Sequence, residues 1–374
     1  MIERTLTDII SGKLFTGKVI QILGARQTGK STLLRHIQQK TNRKTLYLDC
    51  DDPQSRTMLQ NQSTPNLLRL IGNNEIVFID EAQRVENIGL SIKQIHDNKI
   101  DCQLIVSGSS SLELSNKINE PLTGRKWEYH LFPLSFAEMQ NYTSWFDEIR
   151  MLKPRLVYGS YPDVINYPGE EKDVLRNLTS SYLYKDIFDF QDIRKPHLIE
   201  KLLQLLAFQI ASEVSFNELA NSLQVSVNTI EKYINLLEKT FVIFRLPAFN
   251  RNIRNEIKKS RKIYFFDNGV RNSIISNFND VDLRNDTGQL WENYLVAERM
   301  KKNEYDKRYC NKYFWRTTQQ QEVDYIEEIN GELSAYEFKW SEKKKSRLSK
   351  TFAAAYPGSQ FSIINKENYT DFLL

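Results

Sequence analysis

The sequence is poor in the features that mark secreted, membrane or disulfide-rich proteins. It has 3 cysteines in 374 residues, and Cys50, Cys102 and Cys310 form no CxxC pair. This argues against a disulfide framework or a thiolate zinc site. No run approaches the roughly 20 apolar residues that cross a bilayer, and the start MIERTLTDII lacks the basic segment of a signal peptide. We therefore expect a cytoplasmic protein with no membrane partner.

An excess of charge of one sign is also missing. The chain has 51 basic and 47 acidic residues, a formal net charge of +4. Overall charge therefore does not indicate a nucleic-acid partner, and any basic surface must be local. The length predicts two or three domains at roughly 150 residues each.

What is present begins with a phosphate-binding pattern. In KVIQILGARQTGKSTLLRHIQ, an apolar run precedes Gly24-x4-Gly29-Lys30-Ser31, and a helical pattern follows. This is a P-loop in its strand, loop and helix setting, and the alternative is a chance Gly-Lys loop before a helix. Lys30 would reach the β and γ phosphates of ATP, and Ser31 would bind Mg²⁺. The predicted nucleotide-contacting residues are Gly24, Ala25, Arg26, Gln27, Thr28, Gly29, Lys30, Ser31 and Thr32.

A second pattern carries the acids that such a site needs. The apolar residues Ile76 to Ile79 predict a buried strand that ends in Asp80 and Glu81. Asp80 would hold Mg²⁺, and Glu81 would orient or deprotonate the attacking water. Taken alone, an acidic pair after an apolar run is usually a solvated strand end.

Two more buried strands are predicted at Thr45 to Cys50 and Cys102 to Ser110, separated by helical patterns. Alternation of strands and helices indicates a parallel sheet. The last of these strands ends in Ser107-Gly108-Ser109-Ser110, where a hydroxyl could sense the γ-phosphate or simply cap the next helix.

These motifs resemble a known family. GARQTGKST, IVFIDEAQ, IVSGSS, LTGRKWEYHLFPLSFAEM and YGSYPDV are similar to segments of AAA-type ATPases that carry a C-terminal domain of unknown function. The resemblance implies that Arg125 senses or stabilises the γ-phosphate, in cis or from a neighbouring subunit of a homo-oligomer. The alternative is a surface arginine in a turn.

The middle of the chain predicts helices and then a winged helix. Ser215 and Ser226 are good N-caps for the second and third of three helical patterns, and β-rich segments follow. The basic stretch from Arg251 to Lys262 would form a wing suited to DNA phosphates. The third helix would expose few polar side chains with which to read bases, namely Asn228, Thr229, Glu231, Lys232 and Asn235. Winged helices also serve as protein-packing modules, so the partner stays open.

A hairpin dominates the C-terminal region. Asn330-Gly331 is a strong two-residue turn signal, and it predicts pairing of Tyr325 with Tyr336 and of Asp324 with Glu337. Like charges opposite each other are unfavourable unless something positive lies between them. With Lys339, this pattern resembles the PD-(D/E)xK nuclease core, with Val323 in place of the usual proline.

The resemblance implies that Asp324, Glu337 and a helical glutamate bind a divalent cation, Mg²⁺ or Mn²⁺, while Lys339 positions water. We prefer Glu292 over Glu298 as that glutamate. The alternative is a surface salt-bridge cluster, and the family resemblance leaves open whether cleavage activity is retained.

Together these patterns predict an α/β protein. We expect a P-loop NTPase domain with a parallel sheet at 1–140, a helical lid at 141–196, a winged helix at 197–267 and a restriction-endonuclease-like α/β domain at 268–374. The first functional hypothesis is an ATPase that acts on DNA. The second is a nucleotide-gated signalling or scaffold ATPase whose C-terminal domain binds a partner without cutting.

Overall fold

The computed structural model of the chain describes residues 2–99, 101–108, 121–183, 196–249, 261–317, 319–341 and 349–374. Contacts between residues divide the chain into two compact units. The first unit comprises Met1–Phe132 with Lys239–Phe241, and the second comprises Pro133–Glu238 with Val242–Leu374. The segment after Phe132, which the sequence assigned to the ATPase domain up to residue 140, packs with the second unit.

A parallel sheet forms the centre of the first unit. Its strands are β1 (Val19–Leu23), β2 (Thr45–Asp49), β3 (Ile76–Asp80), β4 (Gln103–Gly108) and β5 (Lys126–His130). They lie in the order β2-β3-β4-β1-β5, and every neighbouring pair is parallel. The three central strands are buried along their whole length, as their apolar runs predict. The predicted α/β class and parallel sheet are confirmed.

Helices precede and connect these strands. They are α1 (Thr5–Ser11), α2 (Lys30–Lys40), α3 (Pro53–Leu59), α4 (Thr64–Ile71) and α5 (Ile88–Asn98). Local sequence explains where they begin. For example, Asp52 accepts a hydrogen bond from the Ser55 amide at 2.9 Å, and Pro53 occupies the first turn of α3.

The second unit begins with short helices. They are α6 (Phe136–Tyr142), α7 (Trp145–Arg150), α8 (Leu152–Tyr158), α9 (Pro162–Asn166) and α10 (Glu171–Asn177), and a π-helix follows at Leu178–Leu183. Ser135 and Glu138 form a capping box at the start of α6, so the LSFAEM motif marks a helix start. Residues 184–195 of the predicted lid lie outside the described residues.

Three helices and a strand pair come next. They are α11 (Pro196–Phe208), α12 (Phe216–Leu223), α13 (Val227–Lys239), β6 (Ile243–Pro247) and β7 (Arg261–Phe265), and the two strands are antiparallel. Ser215 and Ser226 accept hydrogen bonds from the Glu218 and Thr229 amides, so both act as the predicted N-caps. Residues 250–260, which hold most of the predicted basic wing, lie outside the described residues.

The C-terminal part of the second unit contains a mixed sheet. Its elements are α14 (Asn268–Ile274), α15 (Thr287–Tyr305), β8 (Asn311–Arg316), β9 (Glu322–Ile329), β10 (Glu332–Phe338), α16 (Lys350–Ala355), β11 (Gln360–Ile364) and α17 (Tyr369–Leu373). The strand order is β11-β10-β9-β8, with β11 parallel to β10 and the other pairs antiparallel. Within the described ranges, no helix combines the length and apolarity needed to span a bilayer.

The hairpin between β9 and β10 has the predicted register. Asn330 and Gly331 have φ values of 53° and 86°, the left-handed conformation that a two-residue turn of this kind requires. Ile329 pairs with Glu332 and Tyr325 pairs with Tyr336. Alternation along the strands therefore turns Asp324 and Glu337 away from the face that carries Tyr325 and Phe338.

A tight backbone contact explains the YGSYPDV motif. Gly159 has φ 69°, and a Cβ there would lie 2.1 Å from the Asp267 carboxylate. A Cβ at Gly269 would lie 2.1 Å from the Tyr158 carbonyl oxygen. Asp267 accepts hydrogen bonds from the amides of Ser160 and Val270 at 2.8 and 3.0 Å. Two loops thus interlock through one buried carboxylate, and the motif is part of the packing of the second unit.

A buried ion pair joins α15 to β9. Arg299 donates two hydrogen bonds to Glu327, at 2.9 and 2.8 Å, and a third to the Phe372 carbonyl at 2.6 Å. Asn303 donates to the same carboxylate at 2.6 Å. Burial alone would raise the pKa of Glu327, but the Arg299 guanidinium outweighs it and holds this pKa below its usual range.

We expect Glu327→Ala to destabilise the second unit by about 3–5 kcal/mol, because it leaves the buried Arg299 guanidinium without its carboxylate partner. Urea unfolding followed by tryptophan fluorescence measures the loss, since Trp291, Trp315 and Trp340 all lie in this unit. Glu3→Ala removes an exposed pair with Lys40 and serves as the control. Equal midpoints for the two variants would contradict the assigned role of the buried pair.

Candidate functional site

The P-loop connects β1 to α2 in the first unit. Gly29 has φ 94° and Gln27 has φ 59°, so the loop curls before α2 begins at Lys30. The Lys30 ammonium donates hydrogen bonds to the Gly24 and Ala25 carbonyls at 3.0 and 2.9 Å. The loop's own carbonyls therefore hold the lysine that the sequence assigned to phosphates. Ser31 and Thr32 are exposed at the start of α2, where their hydroxyls can meet a ligand.

Gly24 is required for a different reason than Gly29. A Cβ at Gly24 would lie 2.3 Å from the Leu131 carbonyl oxygen, at the end of β5. The backbone of the P-loop thus approaches that of the neighbouring strand too closely for any side chain. A hydrogen bond from the Thr28 hydroxyl to the Ala25 carbonyl, at 2.8 Å, closes the turn.

Nothing in the sequence pointed to Arg4, whose guanidinium binds the backbone of the P-loop. Its guanidinium donates to the Thr28 carbonyl and to the Phe132 carbonyl, both at 2.6 Å, and the residue is 7% exposed. The Arg4 guanidinium therefore places a buried positive charge against the P-loop. A single arginine ahead of a short helix carries no periodic or motif signal, so nothing in the sequence marks it.

The acidic residues lie at the same edge of the sheet as the P-loop. Because β4 lies between β1 and β3, Leu23 pairs with Gly108 while Ile79 pairs with Val106. The carboxyl ends of these parallel strands meet, and Ser107 donates a short hydrogen bond to Asp80. Ser107, the predicted serine that lies within the described residues, therefore contacts Asp80, the predicted Mg²⁺ ligand. Ser109 and Ser110 lie outside the described residues.

Tyr47 is a second partner of Asp80 that the sequence did not reveal. Its hydroxyl donates to the other carboxylate oxygen at 2.6 Å. The tyrosine ring stacks on Phe78 and lies beneath the Arg35 guanidinium, 3.4 Å from the ring centroid. Burial, followed by the neighbouring Asp80, raises the pKa of Tyr47 above its usual range, so the hydroxyl stays protonated and donates.

Glu81 has an unusual backbone. Its φ of 50° is left-handed for a residue that is not glycine, a conformation often found at functional positions. Its amide donates to Asp80 and to the Ser107 hydroxyl at 3.1 and 3.3 Å, and its carboxylate accepts from Gln83. This backbone turn places the Glu81 side chain next to Asp80 at the same edge of the sheet.

Arg125 does not join this group. It immediately precedes β5, and its carbonyl accepts from the Val19 amide at the start of β1. The P-loop follows Leu23 at the opposite end of β1, about 13 Å away at 3.3 Å per residue. Arg125 instead pairs with Asp97 at 2.9 Å. Its placement therefore argues against the predicted contact with a γ-phosphate bound to the same chain.

The C-terminal residues predicted for a metal gather around a lysine. Lys262, on β7, pairs with Glu292 at 2.8 Å and with Glu322 at 2.5 Å. Tyr264 lies two residues after Lys262 and therefore on the same face of β7. Its hydroxyl donates a hydrogen bond to Glu292 at 2.7 Å. The sequence had counted Lys262 among the wing residues for DNA phosphates. That assignment is corrected, because the residue is 2% exposed.

The other predicted groups lie beside it. Asp324 accepts from the Phe338 amide at 2.8 Å, and Glu337 pairs with Lys339 at 2.6 Å. Burial, and then the neighbouring Glu292, raises the pKa of Asp324 to about 7. We call Glu292, Glu322, Asp324 and Glu337 the carboxylate cluster. Glu298, the alternative to Glu292, accepts from the Phe136 amide at 2.7 Å and pairs with Lys301 instead.

The carboxylate cluster does not have the arrangement of a metal site. Among the described residues, no group of three or more His, Cys, Asp or Glu side chains could hold a metal ion. The geometry therefore does not support the Mg²⁺ or Mn²⁺ that was predicted for Asp324, Glu337 and Glu292.

The predicted base-reading helix is exposed at only part of its predicted polar set. Asn228, Glu231 and Lys232 of α13 are exposed. Asn235, in contrast, accepts a hydrogen bond from Arg245 at 2.6 Å, and the same guanidinium pairs with Glu238. Arg261 stacks on the Phe216 ring at 4.5 Å. Local contacts thus engage part of the predicted polar set.

We expect Gly24→Ala to lower the stability of the first unit by about 1–3 kcal/mol, because its Cβ overlaps a carbonyl oxygen. The displaced loop should also bind ATP more than roughly tenfold more weakly. Thermal unfolding and titration with a fluorescent ATP analogue measure both effects. Gly12→Ala is the control, since its Cβ would lie at an ordinary 3.5 Å from its nearest neighbour. Equal behaviour of the two variants would refute the close approach.

Three protein-family models match parts of the chain. Residues 16–152 match an AAA domain family, AAA_14. Residues 149–281 and 287–371 match two domains of unknown function, DUF8612 and DUF4143. The predicted association of an AAA-type ATPase with a C-terminal domain of unknown function is thereby confirmed.

Relatives and solved structures are distant. The chain is 23% identical to an uncharacterized protein of Methanocaldococcus jannaschii over 376 residues, covering 94% of this chain and 82% of that protein. It is 25% identical to an uncharacterized protein of Mycobacterium tuberculosis, covering 87% and 71%. The Walker-type ATPase of Pyrococcus abyssi superposes with a TM-score of 0.50 at 13% identity, covering 74% of this chain and 96% of that structure. Residues 16–152 thus match an AAA-type P-loop domain, a class of domain that binds and hydrolyses nucleotides.

Proposed function

We propose that the chain hydrolyses Mg-ATP at the P-loop and couples turnover to contact with a DNA backbone through the second unit. One observation carries the first part of the proposal. Lys30, Asp80 and Ser107 belong to segments that end at one edge of one parallel sheet, and Ser107 already bonds to Asp80. Few arrangements other than a nucleotide site bring these groups together.

The residues fit a magnesium nucleotide. Lys30 would exchange its two carbonyl acceptors for phosphate oxygens, and Ser31 and Asp80 would hold the ion. Mg²⁺ would neutralise charge on the phosphates and orient them. Tyr47 and Ser107 orient the Asp80 carboxylate through one oxygen each. Glu81 would accept the proton of the attacking water or fix its direction.

The order of elements supports the DNA part of the proposal. Three helices followed by two antiparallel strands, α11 to β7, match the winged-helix order expected from the sequence. Lys232 and Asn228 on α13 are exposed, as phosphate or base contacts require. Cleavage of DNA by the C-terminal domain is not part of this proposal, because Glu292 and Glu322 of the carboxylate cluster pair with Lys262.

A nucleotide-gated scaffold or signalling ATPase is the second candidate. The pairing of Lys262 with Glu292 and Glu322 favours it, because this withdraws a cation from the predicted DNA surface. Arg125 fits either candidate. Since it is 40% exposed and distant from its own P-loop, it would reach a phosphate only on a neighbouring copy of the chain.

The decisive measurement is ATP turnover with and without double-stranded DNA at several salt concentrations. We expect DNA to stimulate wild-type turnover at low salt and to lose this effect as salt rises, because backbone contacts release counterions. Lys30→Ala should reduce turnover about 100-fold or more in both conditions. If DNA fails to stimulate ATP turnover at every salt concentration while turnover itself is retained, the result would support the scaffold function instead.

We also expect Tyr47→Phe to raise the Mg²⁺ concentration that half-saturates ATP turnover by roughly three- to tenfold, because Asp80 loses a charge-assisted hydrogen bond. The phenylalanine ring keeps the stacking with Phe78 and Arg35. Tyr167→Phe, at an exposed position, is the matched control. An unchanged Mg²⁺ requirement would show that Tyr47 does not position Asp80.

A further inference from the structure

The carboxylate cluster contains its own positive charge. Lys262 is buried, and its ammonium lies 2.8 Å from Glu292 and 2.5 Å from Glu322. Glu292 also accepts from the Tyr264 hydroxyl at 2.7 Å. Two of the four carboxylates are therefore neutralised from β7, a strand that the nuclease-like pattern in the sequence does not include.

The remaining carboxylates have partners as well. The Phe338 amide donates to Asp324 at 2.8 Å, and Lys339 pairs with Glu337 at 2.6 Å. Each acid of the cluster thus has a cation or an N–H donor within hydrogen-bond distance. A divalent ion needs several oxygens directed at one point, but these oxygens are directed at two ammonium groups and an amide.

An added ion would also meet repulsion. A divalent cation close enough to share Glu292 and Asp324 would lie beside the Lys262 ammonium, which has little solvent to screen it. Lys262 is 2% exposed, and its ammonium contacts Glu292 and Glu322 with the Phe314 ring 5.5 Å away, so turning outward would break two ion pairs. The ions that PD-(D/E)xK chemistry requires therefore do not fit the site as it is built.

We propose that Lys262 is the resident cation of the carboxylate cluster, and that the C-terminal domain works without a divalent metal and does not cleave phosphodiesters. The Lys262 ammonium lies between Glu292 of α15 and Glu322 of β9, whereas Glu337 on β10 pairs with Lys339. The Lys262 ammonium also joins β7 to α15 and β9, so the cluster connects the three-helix segment to the C-terminal sheet within the second unit. The proposal does not depend on the DNA part of the proposed function.

Manganese binding to the full-length, nucleotide-free chain tests this inference. Mn²⁺ titrations followed by electron paramagnetic resonance would compare wild type with Lys262→Met, which keeps the length of the side chain and removes its charge. We expect Lys262→Met to gain a Mn²⁺ site at least about tenfold tighter than any site in wild type, and Lys262→Met/Glu292→Gln to lose it. Lys301→Met is the matched control, since it removes another buried ammonium paired with a single glutamate; it should gain no site.

If Lys262→Met fails to fold, a comparison of Mn²⁺ binding by wild type and by Glu292→Gln still tests the proposal. Equal Mn²⁺ binding by these two proteins supports the proposal, because it shows that the cluster takes no metal. Wild-type binding that Glu292→Gln abolishes would overturn it. Nicking of plasmid DNA by wild type with Mn²⁺, lost in Asp324→Asn, would overturn it equally.

Discussion

The parallel pairing of β1, β4 and β3 is the constraint on which the nucleotide site depends. Strands that run in the same direction end at the same edge, so the loop after β1, the serine of β4 and the acids of β3 must meet there. Because β4 is inserted between the other two, Ser107 lies next to β3 and contacts Asp80. The chemistry of the first unit thus follows from strand order more than from any single side chain.

The second unit uses charge differently. Three of its ion pairs are buried: Arg299 with Glu327, Lys301 with Glu298, and Lys262 with Glu292. The first and third join different elements, while Lys301 and Glu298 both lie on α15. Burying so many charges is costly unless each finds a partner, and each of these does. The same residue types that suggest an exposed catalytic or DNA-binding surface in the sequence therefore serve largely to fix the relative positions of α15, β7 and β9.

Local patterns in the sequence were enough to predict the P-loop, the strand that ends in Asp80, the N-caps and the Asn330-Gly331 hairpin. Each rests on residues close together in the chain, where steric and hydrogen-bond rules act directly. Arg4, Tyr47 and Lys262 could not be assigned in this way, because their partners are between 24 and 128 residues distant along the chain. The alternation of Lys262 and Tyr264 on one strand face was a usable signal, but the basic residues before it suggested a surface wing.

Lys30 donates to two carbonyls of its own loop, and this has a consequence for selectivity. An incoming anion must compete with an existing pair of acceptors that is already well placed. A small ion with one suitable oxygen gains little by displacing them, whereas a chain of phosphates can replace both and still engage the amides of the loop. We therefore expect the loop to favour anions that offer several acceptors, whatever base or sugar they carry.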